Sequence, residues 1–253
     1  QTYRNIEIII VDNYSRDDTV TIAKKYGARI FFKGPERSSQ KNFGAKMAKG
    51  DYLYYIDSDF ILHPRVVEES IDLARKGYNA IIVWNISYPK RSLIAKIRFY
   101  ERLSYYGSNL YEAARFMEKK IFIKAGGFDE NLYANEDYDL HQRLIRLGAK
   151  IARTRHSYEI HIGEPKNMKE FIIKSIYYGS SIKYYFKKNP NLRQLIPIRP
   201  TFFRRHFIAF LGRRWPPGLF LVPLLKIIQA LAVELGIFLR LYYNVYSTHE
   251  TSL

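Results

Sequence analysis

A chain of 253 residues with 47% hydrophobic content can pack one domain of roughly 150 to 200 residues with an appendage. Its 41 Lys and Arg against 24 Asp and Glu leave a net charge of +17, which draws the surface to polyanions or to an anionic membrane face. Cysteine is absent, which excludes disulfides and zinc-thiolate sites.

The predicted elements begin with Ile6 to Val11, a short apolar and β-branched run that reads as a buried parallel strand delivering Asp12 at its C-terminal end. A strand so close to Gln1 implies sequence missing upstream, and the opening residues lack the apolar stretch of a signal peptide. Ser15 to Asp18 resembles a capping box before a helix that runs through Lys24 and is closed by Gly27. Arg29 to Lys33 reads as a second strand, broken by Gly34-Pro35, and Ser39 to Ala48 as a helix ending near Gly50. Tyr52 to Ile56 is a third buried strand, and it delivers Asp57-Ser58-Asp59 to the sheet edge where open α/β folds bind ligands. A helix over Pro64 to Lys76, capped by Gly77, and a strand over Ala80 to Trp84 continue the alternation. That alternation implies a mostly parallel α/β sheet flanked by helices. Further on, Asn135 is placed to cap a helix whose stripe is Leu140, Leu144 and Leu147 and whose end is Gly148.

Three domains are expected: a catalytic domain over residues 1–165, an amphipathic helix and linker over 166–200, and a membrane-associated helical region over 201–253. Lys169 to Lys188 sets Phe171, Ser175, Tyr178, Ile182 and Tyr185 at helical spacing among lysines, a pattern suited to lying on a membrane. Gly218 to Tyr243 is strongly apolar, and its polar residues Lys226, Gln229, Glu234 and Arg240 fall within an arc of roughly 140°. This reads as a membrane-embedded helix with its polar arc against a partner. Phe202 to Leu211 is too short to span; Arg204, Arg205, Arg213 and Arg214 with Trp215 suit an interfacial anchor on the cytoplasmic side.

Asp57 and Asp59 stand at i and i+2 beyond a strand, so both carboxylates can share one hard divalent cation, which commonly takes one or two carboxylates plus phosphate oxygens. Around them, Glu7 to Thr19 (EIIIVDNYSRDDT) and Arg37 to Phe60 (RSSQKNFGAKMAKGDYLYYIDSDF) resemble the family 2 glycosyltransferases of the GT-A fold, a Rossmann-like architecture. Gly126-Gly127-Phe128-Asp129-Glu130 and Asn135-Glu136-Asp137-Tyr138-Asp139-Leu140 look like the same family's Gly-Gly-Phe and Glu-Asp segments.

The resemblance implies inverting transfer of a hexose from a nucleotide diphosphate sugar to a lipid-linked acceptor, with mannose from GDP-mannose ahead of glucose from UDP-glucose. Asp137 becomes the candidate general base, with Glu136 supporting its loop. Asp57 and Asp59, with His161, would hold Mn2+ or Mg2+. Asp12, Arg37, Lys41, Asp57 and Gly127 are the candidate nucleotide-sugar contacts. The implied setting is the cell membrane, with the catalytic domain facing the cytoplasm and membrane lipids as partners. The family's opening strand has no counterpart before Gln1, and Ile61 stands where dolichyl-phosphate mannose synthase-like members carry a Gln. Two other classes compete: a basic nucleic-acid-binding protein, which the lack of any RNP, KH or zinc-finger pattern disfavours, and a catalytically silent membrane scaffold.

Overall fold

The computed structural model describes residues 1–105, 112–189 and 205–250. The chain forms two compact units, Gln1–Trp84 with Ala113–Glu159, and Asn85–Glu112 with Ile160–Leu253.

In the first unit β1 (Ile9–Asp12) and β2 (Arg29–Phe32) pair in parallel, with α1 (Thr19–Lys25) between them in sequence. The capping box expected at Ser15 does not form. Ser15 instead donates its backbone N–H and its hydroxyl to the Asp12 carboxylate, at 2.7 and 2.6 Å. The helix therefore starts at Thr19, with Asp18 at its N-cap and no side-chain cap bond.

After α2 (Arg37–Met47) come β3 (Tyr52–Tyr54), β4 (Phe60–Leu62), α3 (Val66–Arg75) and β5 (Ala80–Ser87). Beyond residue 112 follow β6 (Phe116–Glu118), α5 (Lys119–Lys124), α6 (Glu136–Arg146) and β7 (Ile151–His161). The larger sheet has the order β3-β6-β5-β7-β4. Strand β6 is antiparallel to both β3 and β5, so those two share a direction. Asn79 N–H donates to the Lys150 carbonyl before β7, and Tyr88 N–H to that of His161 at its end, so β5 and β7 run parallel. The fold is thus α/β, with β3, β5 and β7 of the larger sheet sharing a direction and β6 running against them.

Successive strand residues point to opposite faces, and the core divides accordingly. Ile82 and Met117 pack with Leu53, Leu140 and Leu144, whereas their neighbours Ile81 and Phe116 pack with Val66, Ile71 and Ala74. Each such buried aliphatic side chain contributes about 1.5 to 3 kcal/mol relative to exposure. Asn135 does not cap α6 through its side chain: it sits in the left-handed region at φ 62° and makes no cap bond. Capping needs an extended backbone, and the short polar side chain of Asn tolerates the left-handed turn that the loop imposes here.

The second unit is helical: α4 (Leu93–Tyr105), α7 (Met168–Lys188), α8 (Arg205–Arg214) and α9 (Gly218–Glu250). Asn167 caps α7, accepting from Glu170 N–H at 2.9 Å. Its core joins Ile94, Ile97, Phe171, Leu211, Trp215, Val222 and Leu225. Two expectations change here. The α7 residues Phe171, Ser175 and Tyr185 are buried within the protein instead of facing a membrane. Helices α7 and α9 approach so closely that a Cβ on Gly179 would lie 2.3 Å from the Val233 carbonyl oxygen, and one on Gly236 2.0 Å from that of Ile176. Small residues permit such backbone contact. Trp215 is no interfacial anchor, because its ring is buried and stacks on Tyr100 at 4.8 Å.

The polar arc of α9 finds its partner inside this unit. Lys226 pairs with the buried Glu101 of α4 and donates to Gln229 at 3.0 Å, whereas Glu234 is exposed. Arg204 and the side chains of Arg205 and Arg240 lie outside the described residues. Opposite Lys226, the exposed residues Phe220, Leu224, Ile227, Leu231, Leu235 and Phe238 form one stripe along the helix, within about 80° of arc at 100° per residue. Among the described residues Gly218–Leu239 is the one helical segment long and apolar enough to cross a membrane.

Candidate functional site

The first unit gathers the acidic segments around two cations. Asp57 follows β3 in the turn before β4, with its side chain about one-third exposed. Its Oδ1 lies 3.0 Å from Lys41 Nζ, and its Oδ2 accepts from Arg115 Nη2 at 2.8 Å. Lys41, from α2, also reaches the Glu136 carboxylate of α6 at 3.4 Å. One ammonium therefore spans the Asp57 turn and the start of α6. Arg37, one turn earlier on α2, pairs its Nε with Glu136 at 3.0 Å and donates through Nη2 to the Tyr133 carbonyl.

The electrostatics follow from this geometry. Burial alone pushes the Asp57 carboxyl upward, but Lys41, Arg115 and the more distant Arg37 together hold it well below the usual carboxylate range. Glu136 moves the other way. Burial, reinforced by the adjacent Asp137 charge, raises it against the pull of Lys41 and Arg37. Asp137 is half-buried in the first turn of α6 and accepts from Tyr138 N–H at 2.8 Å. Its negative charge acts on Arg115 and on His141. Asp57, Glu136 and Asp137 thus belong to one electrostatic cluster.

Arg115 and Glu159 carry no sequence motif. Arg115 lies just before β6, where it bridges Asp57 and the fully buried Glu159 at 2.8 Å each, its guanidinium 4.5 Å from the Phe60 ring centre. Tyr54 completes the chain by donating its hydroxyl to Glu159 at 2.8 Å. A buried carboxylate needs a partner, and here that partner is what orients the arginine on Asp57.

Asp12 is buried, its carboxylate engaged by Ser15 as described. Gly127 has φ 70°, and a Cβ there would come 2.7 Å from Asn42 Oδ1. Asn42 clamps this turn by accepting from Phe128 N–H at 2.8 Å and donating to the Phe128 carbonyl and the Glu130 carboxylate at 2.9 Å each. Asp59 is half-buried in the turn with Ser58. His161 belongs to the second unit, where its Nδ1 lies 3.0 Å from Glu164, itself held below the usual carboxylate range by Arg102, against the opposing effect of burial.

Among the described residues no three His, Asp or Glu side chains are grouped to hold a metal ion by themselves. The oxygen donors of Asp57 and Asp59 nevertheless suit a hard cation that completes its shell with water and phosphate oxygens.

The family model described as "Glycosyl transferase family 2" matches residues 1–128. An uncharacterized glycosyltransferase of Rickettsia typhi is 30% identical over 166 residues, covering 59% of this chain and 52% of its own length. The chain spans about half the length of the curated relatives it matches first. Among solved structures, the mannosyltransferase PcManGT from Pyrobaculum calidifontis, in complex with GDP-Man and Mn2+, aligns with TM-score 0.60 at 13% identity. That alignment covers 93% of this chain and 78% of that one. S. aureus TarS 1-349 in complex with UDP aligns with TM-score 0.52 at 14% identity, covering 94% and 82%. These likenesses establish the fold.

Proposed function

The chain belongs to glycosyl transferase family 2, and from that premise we propose that it transfers a hexose, with inversion, from a nucleotide diphosphate sugar to a lipid-linked acceptor at a membrane. The observation that carries this reading is the Lys41 ammonium held between Asp57 and Glu136. It links the Asp57 turn to the first turn of α6, which supports reading the two acidic segments as parts of one site.

In this reading Asp12 contacts the nucleoside, Arg37 and Lys41 contact the diphosphate, and the tight turn at Gly127 shapes the sugar pocket. Asp57 and Asp59 would hold Mn2+ or Mg2+, which would neutralise charge building on the leaving diphosphate. Asp137 takes the proton from an acceptor hydroxyl. Glu136, clamped by Arg37 and Lys41, fixes the first turn of α6 so that Asp137 keeps its place.

GDP-mannose comes first among donors and UDP-glucose second; fold relatives crystallised with GDP-Man and with UDP support both nucleotide classes. The exposed apolar stripe of α9 supports the membrane setting, and a lipid-linked acceptor suits a chain so anchored; in this reading the catalytic unit faces the cytoplasm. A panel of GDP- and UDP-sugars incubated with the protein, Mn2+ and a membrane lipid extract tests the reading. One sugar should move into the lipid phase. Absence of both transfer and Mn2+-dependent donor hydrolysis across the panel would leave a silent scaffold, whereas salt-sensitive retention on nucleic acid without transfer would favour the nucleic-acid reading.

A further inference from the structure

Asp57 carries two cations, and they differ in what holds them. Arg115 is fixed on three sides, by Asp57, by the fully buried Glu159 and by the Phe60 ring. Withdrawing it would take the cation away from the fully buried Glu159 carboxylate, which is strongly unfavourable. Lys41 is under no such constraint. Its other carboxylate partner, Glu136, is also paired with Arg37 at 3.0 Å, and the remaining contact of Lys41 is the face of the Phe128 ring, 5.4 Å from the ammonium. Its ammonium sits on a flexible four-carbon stem, free to redirect by rotation.

We propose that Lys41 is an internal counter-cation for Asp57: it occupies the carboxylate in the donor-free protein, competes there with a free divalent cation, and transfers its charge to the diphosphate when the donor arrives. With both Asp57 oxygens already neutralised, the metal alone binds weakly and enters effectively together with the nucleotide. This rests on the reading that Asp57 is a cation ligand. The consequence is a pair of effects of opposite sign. Removing the charge of Lys41 strengthens binding of the metal alone and weakens binding of the diphosphate. A lysine that only binds phosphate would give the second effect without the first.

Lys41→Met removes the ammonium, which stands 5.4 Å from the centre of the Phe128 ring, and keeps an unbranched apolar stem in its place. Mn2+ binding to the full chain in detergent, without nucleotide, is read from the electron paramagnetic resonance signal of free Mn2+. For Lys41→Met we expect about two- to fivefold tighter Mn2+, the scale of one partly screened ion pair, and weaker binding of GDP and UDP at saturating Mn2+. Lys41→Arg, which retains the charge, should bind Mn2+ like the wild type. Unchanged or weaker Mn2+ binding by Lys41→Met, with a thermal unfolding midpoint like that of the wild type, overturns the proposal; if that variant is unstable, Lys41→Gln is judged by the same criterion. Asp57→Asn separates the two levels. If Mn2+ binding persists in the Lys41→Met/Asp57→Asn double variant, Asp57 is not a ligand and the underlying reading fails. If Asp57→Asn abolishes binding but Lys41→Met does not tighten it, only the counter-cation role falls.

Discussion

His141 is 1% exposed and accepts from Ala114 N–H through Nδ1 at 3.2 Å, a contact that requires this nitrogen unprotonated. Burial, assisted by Arg153 and opposed by Asp137, lowers its pKa from 6.5 to about 4. The unfolded chain therefore binds a proton between those values that the folded chain refuses. The stability from the neutral imidazole is complete above pH 6.5 and is lost as pH falls toward 4, to a total of about 3 kcal/mol. Thermal unfolding midpoints measured across that range should fall with pH, and the slope should flatten in His141→Gln. At the same scale, Asp137→Asn should reduce transfer to a hydroxyl acceptor by about 10² to 10⁴ while leaving Mn2+-dependent binding of GDP or UDP intact by calorimetry. An acceptor that attacks through an already ionised phosphate should be far less sensitive, so equal turnover with a hydroxyl acceptor would remove Asp137 from the chemistry.

At the scale of elements, the α7 and α9 pair is held by absence of side chains. Gly236→Ala places a methyl group against backbone, where no rotamer change relieves it; a cost of about 1 to 3 kcal/mol is expected, read as a lower unfolding midpoint and faster proteolysis within α7. Gly212→Ala is the control. Its Cβ would meet only Leu219 Cδ1, at 3.9 Å, and a helical Gly→Ala change there should be neutral or stabilising by up to about 1 kcal/mol. The two substitutions add the same methyl group to helical glycines, so opposite outcomes isolate the close approach. Periodicity in α7 correctly marks one face as buried, yet it does not say whether lipid or protein covers that face. The glycines at 179 and 236 are the signal that protein does.

For the whole molecule, a net charge of +17 and an apolar stripe on α9 act on membranes differently. Ionic attraction is screened over about 10 Å at 0.1 M salt, while burial of apolar area is not. The protein should float with neutral phosphatidylcholine vesicles and more strongly with anionic ones, and only the increment due to charge should vanish in high salt. Phe220→Asp with Leu231→Asp should abolish the salt-resistant part. Flotation of the double variant equal to wild type would show that the stripe is not the membrane contact.

The sequence by itself determined the alternation of strands and helices, the delivery of Asp12 at a strand's end and of Asp57 beyond one, and the family, because each rests on patterns within about twenty residues. Local readings failed where a side chain had a better distant or unforeseen partner: Ser15 bonds Asp12 rather than a helix end, and Trp215 packs on Tyr100 rather than at an interface. Only the tertiary structure brought Lys41, Asp57, Arg115, Glu136 and Glu159 together. Arg115 and Glu159 lie 44 residues apart, and no local spacing marks them as partners. Such pairs are set by sheet order and by the need of a buried charge for its opposite, and both arise only once the chain has folded.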